Sequence, residues 1–309
     1  MICRGGDMKQ TLMTFNLLNA WTPGSPVYKT MRARSVDAAQ FVKKVLPDIL
    51  CFQELDYYYR HDGELLRLIA DEYAEADTQD ELVGKGWNAI FYRRDRFSVI
   101  ESGGYNFTAN GFSVVPIKPV EGEELPSKAC NCHNYRYPEN SEEGRGGITK
   151  TRFRSLGWAL LESEGERVIV ATTHFSLRLV CQAEETAFVL EKLKELKERY
   201  GCRIILCGDF NSNCETRNSA AAGLLEKGFF DTYDMAGEKD DRASCHQSSG
   251  KGEGSGEVDK MPGGSYKPHA IDHIFTDSPM AVDTYRIYAE PELLAVSDHC
   301  PTMITFDNH

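Results

Sequence analysis

The chain has 309 residues, 41% of them hydrophobic, and 47 Asp and Glu against 35 Lys and Arg give a formal net charge of -12. That length supports a large core, one big α/β domain or two smaller ones, while a mean hydropathy of -0.43 and the lack of any bilayer-length apolar run point away from a helical membrane protein. An acidic surface repels phosphate backbones at long range, which disfavours a sequence-reading DNA binder, although a bound divalent cation would reverse the sign locally.

Residues 1–7 hold no apolar stretch of a secretory signal, so a cytoplasmic location is expected. A first strand is predicted over 12–16, ending on Thr14-Phe15-Asn16. A polar loop with Pro23, Gly24 and Pro26 follows, then a helix over 32–45 with Val36, Ala39, Val42 and Val45 on one side. Pro47-Asp48 stops it and launches the strand 49–52, which delivers Gln53-Glu54. A second helix is expected over 64–72, then strands at 88–92 and 97–100 paired through the charged turn 93–96. Periodicity is lost over 103–150, a stretch rich in Gly, Pro, Asn and Tyr that suggests a long excursion over the site. Strands over 156–163 and 167–173 end on His174. A helix over 183–200 follows, with Glu184 and Glu185 in its first turn and Gly201 at its end. The strand 203–207 delivers Asp209, a second glycine-rich excursion covers 236–268, and strands near 272–275 and 302–306 close the chain. No repeat or linker divides the sequence, so a single domain over 1–309 is expected, with its core over about 11–306.

The ten cysteines do not look like a disulfide framework, and Cys51 and Cys207 fall inside predicted buried strands, so reduced, mostly buried thiols are expected. Cys130-Asn131-Cys132-His133 is the one cluster with metal-like spacing, but no second Cys/His pair with zinc spacing follows it.

Gly208-Asp209-Phe210-Asn211 is the strongest single element. A buried strand ending in Gly-Asp lets a carboxylate emerge into a cleft, and an Asn two residues on places an amide on the same side. Asp209 is suited to deprotonate a water, and Asn211 to hold that water or a phosphate oxygen. Glu54 closes an apolar strand and is enough to anchor Mg²⁺, which takes few carboxylates, with Asn16 supporting it as a neutral oxygen. In Ser297-Asp298-His299-Cys300-Pro301, His299 can stabilise a transition state or aid a leaving group. Asp272 is a candidate to fix its tautomer, and Asp298 to serve as an acid beside the metal. His174 is a second candidate for gripping phosphate.

Taken in order, Asn16, Gln53-Glu54, Thr173-His174, Gly208-Asp209-Phe210-Asn211, Ile271-Asp272-His273 and Ser297-Asp298-His299-Cys300-Pro301 resemble the endonuclease/exonuclease/phosphatase superfamily, the group of deoxyribonuclease I. The resemblance runs over nearly the whole chain. It implies a four-layered α/β sandwich in which two packed mixed β-sheets are flanked by helices. It also implies Mg²⁺- or Mn²⁺-dependent hydrolysis of a P–O bond by in-line attack of water. By position, Glu54 looks like the metal ligand with Asn16 near it and Asp298 assisting. Asp209 looks like the base, Asn211 and His174 like phosphate contacts, and Asp272 and His299 like the orienting acid and the transition-state imidazole. Thr151-Arg152-Phe153-Arg154 with Trp158, and Ser244-Cys245-His246, resemble small bacterial hydrolases of the family.

Arg145, Lys150, Arg152, Arg154 and Arg178 are candidate substrate grips, or else a solvated basic run. His246 is a site edge or an ordinary loop histidine, and Tyr57-Tyr58-Tyr59 a stacking platform, a lipid-facing rim or core. The expected activity is that of a metal-dependent phosphoesterase acting on a phosphodiester or a small phosphorylated molecule. A low-specificity nuclease of DNA or RNA is the alternative, and a non-catalytic binding module the remote one.

Overall fold

The computed structural model describes residues 9–19, 29–56, 58–78, 87–107, 154–177, 179–246 and 263–308. In chain order these form β1 (Gln10–Asn16), α1 (Met31–Val45), β2 (Ile49–Gln53), a π-helical turn (Tyr58–Asp62), α2 (Leu65–Ile69), β3 (Tyr73–Glu75), β4 (Ala89–Arg93), β5 (Ser98–Asn106), β6 (Ser155–Ser163), β7 (Glu166–His174), α3 (Leu179–Tyr200) and β8 (Arg203–Asp209). Then come α4 (Ala220–Glu226), β9 (Phe230–Asp231), α5 (Thr232–Met235), β10 (Ala236–Lys239), α6 (Tyr266–His269), β11 (Asp272–Thr276), β12 (Val282–Ile287), α7 (Pro291–Leu294) and β13 (Thr302–Phe306).

Two mixed sheets result, one in the order β10-β12-β13-β1-β2-β4-β3 and the other β5-β6-β7-β8-β11-β9. Side chains alternate across each strand. One set, including Leu12, Ile49, Cys51, Ile90, Leu161, Val168, Val170, Ile205, Cys207, Ile274 and Ile304, forms an apolar layer between the sheets. The other faces pack outward. Met13, Phe15, Leu50 and Phe52 meet Ala38, Val42 and Leu65 of the first two helices. Leu160, Ile169, Ile204 and Leu206 meet Val189, Leu193 and Leu224 of α3 and α4. The outcome is the expected four-layered α/β sandwich, helix–sheet–sheet–helix.

The first helix starts one residue before its expected position, where Thr30 caps it by accepting from the Ala33 amide. It stops where Leu46 turns left-handed and donates to the Val42 carbonyl at 2.7 Å. The second expected helix, over 64–72, is shorter, because Tyr73 already pairs with Arg93 in the β3–β4 ladder. Residues 88–92 and 97–100 do not form a hairpin: β4 pairs with β2 and β3, and β5 pairs with β6 in the other sheet. The turn between them carries the chain from one layer to the other, held by Arg96–Asp48 at 2.6 Å and Arg93–Asp95 at 2.5 Å. β5 also runs into the start of the excursion expected from residue 103, while Cys130, Cys132, His133, Arg145 and Lys150 lie outside the described residues. The second excursion begins with β10 and ends with α6.

Cys51, Cys207 and Cys300 are buried free thiols, as expected. Among the described residues no helix is long and apolar enough to cross a membrane.

Candidate active site

The alternation that fills the inter-sheet layer also aims the polar strand ends at one place. Along β7, Val168 and Val170 face the layer, and so do Thr172 and His174 after them. By the same parity Asp209 follows Ile205 and Cys207, Asn16 follows Leu12 and Thr14, and Gln53 follows Ile49 and Cys51. The register sets His174 and Asp272 on either side of Asp209 in one sheet, and Asn16 beside Gln53 in the other. Gln53 ties the sheets together beneath the site, accepting from Thr14 Oγ1 at 3.1 Å and donating to Thr172 Oγ1 at 2.9 Å.

Asp209 is the hub. Its Oδ2 accepts from Asn16 Nδ2 at 2.9 Å and lies 3.1 Å from His174 Nε2 and 3.6 Å from His299 Nε2. Its Oδ1 accepts the Asn211 backbone N–H at 2.8 Å. Burial alone would push this carboxyl up, but the charges of His174 and His299, and then Arg154, outweigh it and hold Asp209 well below the usual carboxylate range. Asn211 sits left-handed at φ 49° and donates from its amide to the Phe175 carbonyl at 2.8 Å, joining the turns that follow Asp209 and His174.

His299 faces Asp209 from the loop before β13. Its Nδ1 lies 2.9 Å from Asp272 Oδ2, and that oxygen also accepts from Ser244 Oγ at 2.7 Å. The Ser244 oxygen in turn accepts the Ile271 and Asp272 amides, both at 2.9 Å, so the acid is fixed from behind. Burial opposes protonation of His299, but Asp272, Asp209 and Asp298 overcome it and raise the imidazole well above its ordinary value. Ser297 donates to the Asn16 carbonyl at 2.7 Å and accepts the His299 amide at 3.1 Å, locking this loop to the end of β1. His246 belongs to the same assembly: its backbone N–H donates to the Asp298 carbonyl at 2.8 Å, its Nε2 lies 2.9 Å from the Ser297 carbonyl, and its buried Nδ1 has no partner.

Glu54 stands on the other side of Asn16 with a left-handed backbone at φ 58°, a conformation that costs a non-glycine residue about 1 kcal/mol or more. The Asn19 backbone N–H and side-chain amide both donate to its Oε2. Burial works against its charge, but His174 and then the Asn19 bonds keep its carboxyl below the ordinary value. Asn16 presents its amide N–H to Glu54 and Asp209 rather than the neutral oxygen expected from the sequence, because its Oδ1 accepts the Leu18 amide at 3.0 Å. Asp298 lies within electrostatic reach of Glu54 and Asp209, and carboxylates are the donors a hard divalent cation takes. Burial raises the Asp298 carboxyl, with His299 opposing and Glu54 adding to it. Ligand atoms of Asp209, Asp272 and His299 also lie within 4.8 Å of one another.

Arg154 is 3% exposed, and neither its Nε nor its Nη1 has a hydrogen-bond partner. Burial lowers its hold on the proton, opposed by Glu185, Asp209 and Glu54, which places a buried cation beside the acids. Arg152, Arg178 and Tyr57 lie outside the described residues. Tyr59 is buried and donates to the Leu17 carbonyl at 2.9 Å, so it is core and not a stacking platform.

Three supporting residues escaped the sequence reading. Arg34, on α1, donates to the carbonyls of Leu17, Leu18 and Val296, clamping the loops that carry Asn19 and Asp298. Gln182 donates to the carbonyls of Ser176, Phe210 and Asn211 and accepts the Ala220 amide. Glu185 lies beyond the first turn of α3, which starts at Leu179, and is fully buried, accepting the Ser176 amide at 2.8 Å and the Ser176 hydroxyl at 2.5 Å. A polar residue on a long helix gives no such signal in sequence, since it usually faces water.

A family model described as "Endonuclease/Exonuclease/phosphatase family" matches residues 13–299. No curated protein sequence matches the chain. Among solved structures, an endonuclease/exonuclease/phosphatase family protein from Bacteroides thetaiotaomicron superposes with a TM-score of 0.67 at 20% identity, over 98% of each chain. A mannosyl-6-phosphatase from Bacteroides thetaiotaomicron VPI-5482 gives 0.60 at 19% identity, over 96% of this chain and 99% of that one. The human Nocturnin catalytic domain with a bound sulfate anion gives 0.60 at 16% identity, over 97% and 95%. At these identities the structural likeness speaks for the fold.

Proposed function

The chain belongs to the endonuclease/exonuclease/phosphatase family, and from that premise we propose that it is a divalent-metal-dependent phosphoesterase, hydrolysing a P–O bond of a phosphodiester or a small phosphorylated molecule. The observation that carries this reading is the Asp209 carboxylate held between two imidazoles, 3.1 Å from His174 Nε2 and 3.6 Å from His299 Nε2.

Asp209 is ionised across the working pH range and fixed by Asn16 and the Asn211 amide. It orients the attacking water and accepts its proton as the new O–P bond forms, when that proton becomes acidic enough for a weak base to take it. His299, kept protonated by Asp272, faces the charge that develops on the phosphoryl oxygens or the leaving group. His174 and Asn211 hold non-bridging oxygens, and Arg154 brings an arginine fork with unused N–H donors. His246 keeps an unpartnered Nδ1 at the edge of the same loop. Mg²⁺ or Mn²⁺, when bound, supplies charge neutralisation at the phosphoryl group; Glu54 would hold it, with Asp298 and Asn16 beside it.

The test is hydrolysis of plasmid DNA, an aryl phosphodiester and an aryl phosphomonoester by wild type and Asp209→Ala, in Mg²⁺, Mn²⁺ or EDTA. Metal-dependent cleavage of a small ester by wild type alone supports the proposal. Plasmid nicking that weakens steeply with salt would move the substrate to nucleic acid, and turnover indifferent to EDTA would sink the metal-dependent mechanism.

A further inference from the structure

On β11, Asp272 faces the active site, and its neighbour His273 points to the opposite side of the sheet. There it meets two residues that no sequence spacing connects to it. Cys214 Sγ lies 3.8 Å from His273 Nδ1 and 3.6 Å from Asp231 Oδ2, and Asp231 Oδ2 lies 3.8 Å from His273 Nδ1. We propose that Cys214, Asp231 and His273 form a second metal site, separate from the catalytic one, for Zn²⁺ or a cation of similar softness.

The geometry matches the ion. Zinc bonds of about 2.3 Å to sulfur and about 2.0 Å to nitrogen or oxygen place tetrahedral ligands roughly 3.3–3.5 Å apart. The three observed separations exceed those edges by only a few tenths of an ångström. The histidine is already set as a ligand: its Nε2 lies 3.1 Å from the Ser212 carbonyl, so that nitrogen carries the proton and Nδ1 turns a lone pair to the cluster. A zinc-binding histidine commonly gives its other N–H to a carbonyl in this way. The Tyr266 hydroxyl, 2.9 Å from Nδ1 and 3.3 Å from Asp231 Oδ2, closes the remaining side.

The cluster is also enclosed. Asp231 is 4% exposed and His273 fully buried, and among the described residues no Lys or Arg pairs with Asp231. Without an ion the trio is held by hydrogen bonds, the Tyr233 amide to Asp231 Oδ1 at 3.0 Å, the Tyr266 hydroxyl to His273 Nδ1 at 2.9 Å and the Cys214 thiol to Asp231 Oδ2 at 3.6 Å, and the ion would take the place of the last two. A divalent cation neutralises the carboxylate together with a Cys214 thiolate formed by releasing its proton to solvent. Cys214 lies three residues beyond Asn211, whereas Asp231 and His273 lie on the paired strands β9 and β11. The ion therefore fastens the loop behind Asp209 and Asn211 to the sheet that carries Asp272.

The experiment uses the full-length chain, loaded with Zn²⁺, dialysed into zinc-free Mg²⁺ buffer and assayed for zinc by mass spectrometry. The expected result is about one equivalent retained by wild type, by Glu54→Gln and by a Cys130→Ser/Cys132→Ser variant, and little by Cys214→Ser or Asp231→Asn. Wild type reloaded with Co²⁺ should show a thiolate-to-metal charge-transfer band, a readout that does not depend on how the variants fold, and Cys214→Ser should lack it. Equal zinc in wild type and Cys214→Ser, loss of zinc from the Cys130/Cys132 variant instead, or a Co²⁺ protein without the thiolate band would each overturn the site.

Discussion

Thr173 and Gly208 face each other in the parallel β7–β8 pair, and a Cβ placed on Gly208 would stand 1.9 Å from the Thr173 carbonyl oxygen. Gly208 also holds φ at 141°, which an L side chain rarely adopts. The residues that follow these two are His174 and Asp209, so the close approach sets their separation. Gly208→Ala must push the strands apart or twist the peptide, and the expected cost is about 3 kcal/mol or more. Urea denaturation checks it; a variant within about 0.5 kcal/mol of wild type would show that the contact relaxes freely.

Asp209→Asn keeps the shape of the hub but removes the charge that His174 and His299 share. Turnover is expected to fall about 10²–10⁴-fold, the usual range for a lost general base, with little change in KM. Steady-state kinetics on the best small ester settles this. A variant that loses affinity while keeping kcat would mean that Asp209 binds the substrate and does not act in the chemical step.

The legible part of the fold and site was the part written in consecutive residues. Asn16, His174 and Asp209 each close a strand and Asp272 opens one, so parity alone carries these four toward the inter-sheet layer, and Glu54 follows the last residue of β2. The sheet change between β4 and β5 was not legible, because a charged four-residue turn serves a hairpin and a crossing between layers equally well. Short edge strands such as β9 and β10 carry too few residues to show a period. Gln182, Glu185 and Arg34 look like solvent-facing helix residues until loop carbonyls and amides arrive from distant parts of the chain to meet them.

His299 owes its raised pKa to Asp272 first among its charged neighbours, against the effect of burial. Because the folded imidazole holds its proton more tightly than the unfolded one, the pair adds stability that is complete below about pH 6.5. That stability fades as pH rises through the folded value. In Asp272→Asn this contribution shrinks, so the wild-type advantage in Tm is expected to be largest at mildly acidic to neutral pH and to narrow toward alkaline pH. NMR titration of the His299 ring gives the direct check: the wild-type ring stays protonated through pH 7, and the variant titrates lower. A wild-type ring that titrates at or below its ordinary value would contradict the assignment.

Arg154 separates stability from function. Its guanidinium is buried with two nitrogens unpaired, a state that destabilises the fold unless a ligand supplies the missing acceptors. Arg154→Met fills the space without a charge to desolvate, so stability in the absence of substrate should be unchanged or higher. The same variant loses the fork for phosphate, and kcat/KM is expected to drop about 10²–10³-fold. Arg154→Lys should restore only part of this, because an ammonium cannot make the bidentate contact. Inhibition by inorganic phosphate provides the discriminating readout, since it reports anion binding without the chemical step. If phosphate inhibits Arg154→Met as strongly as wild type, the buried guanidinium serves the scaffold and not the substrate. If inhibition weakens while Tm holds or rises, the strain of burying an unpaired cation is kept for the anion it binds.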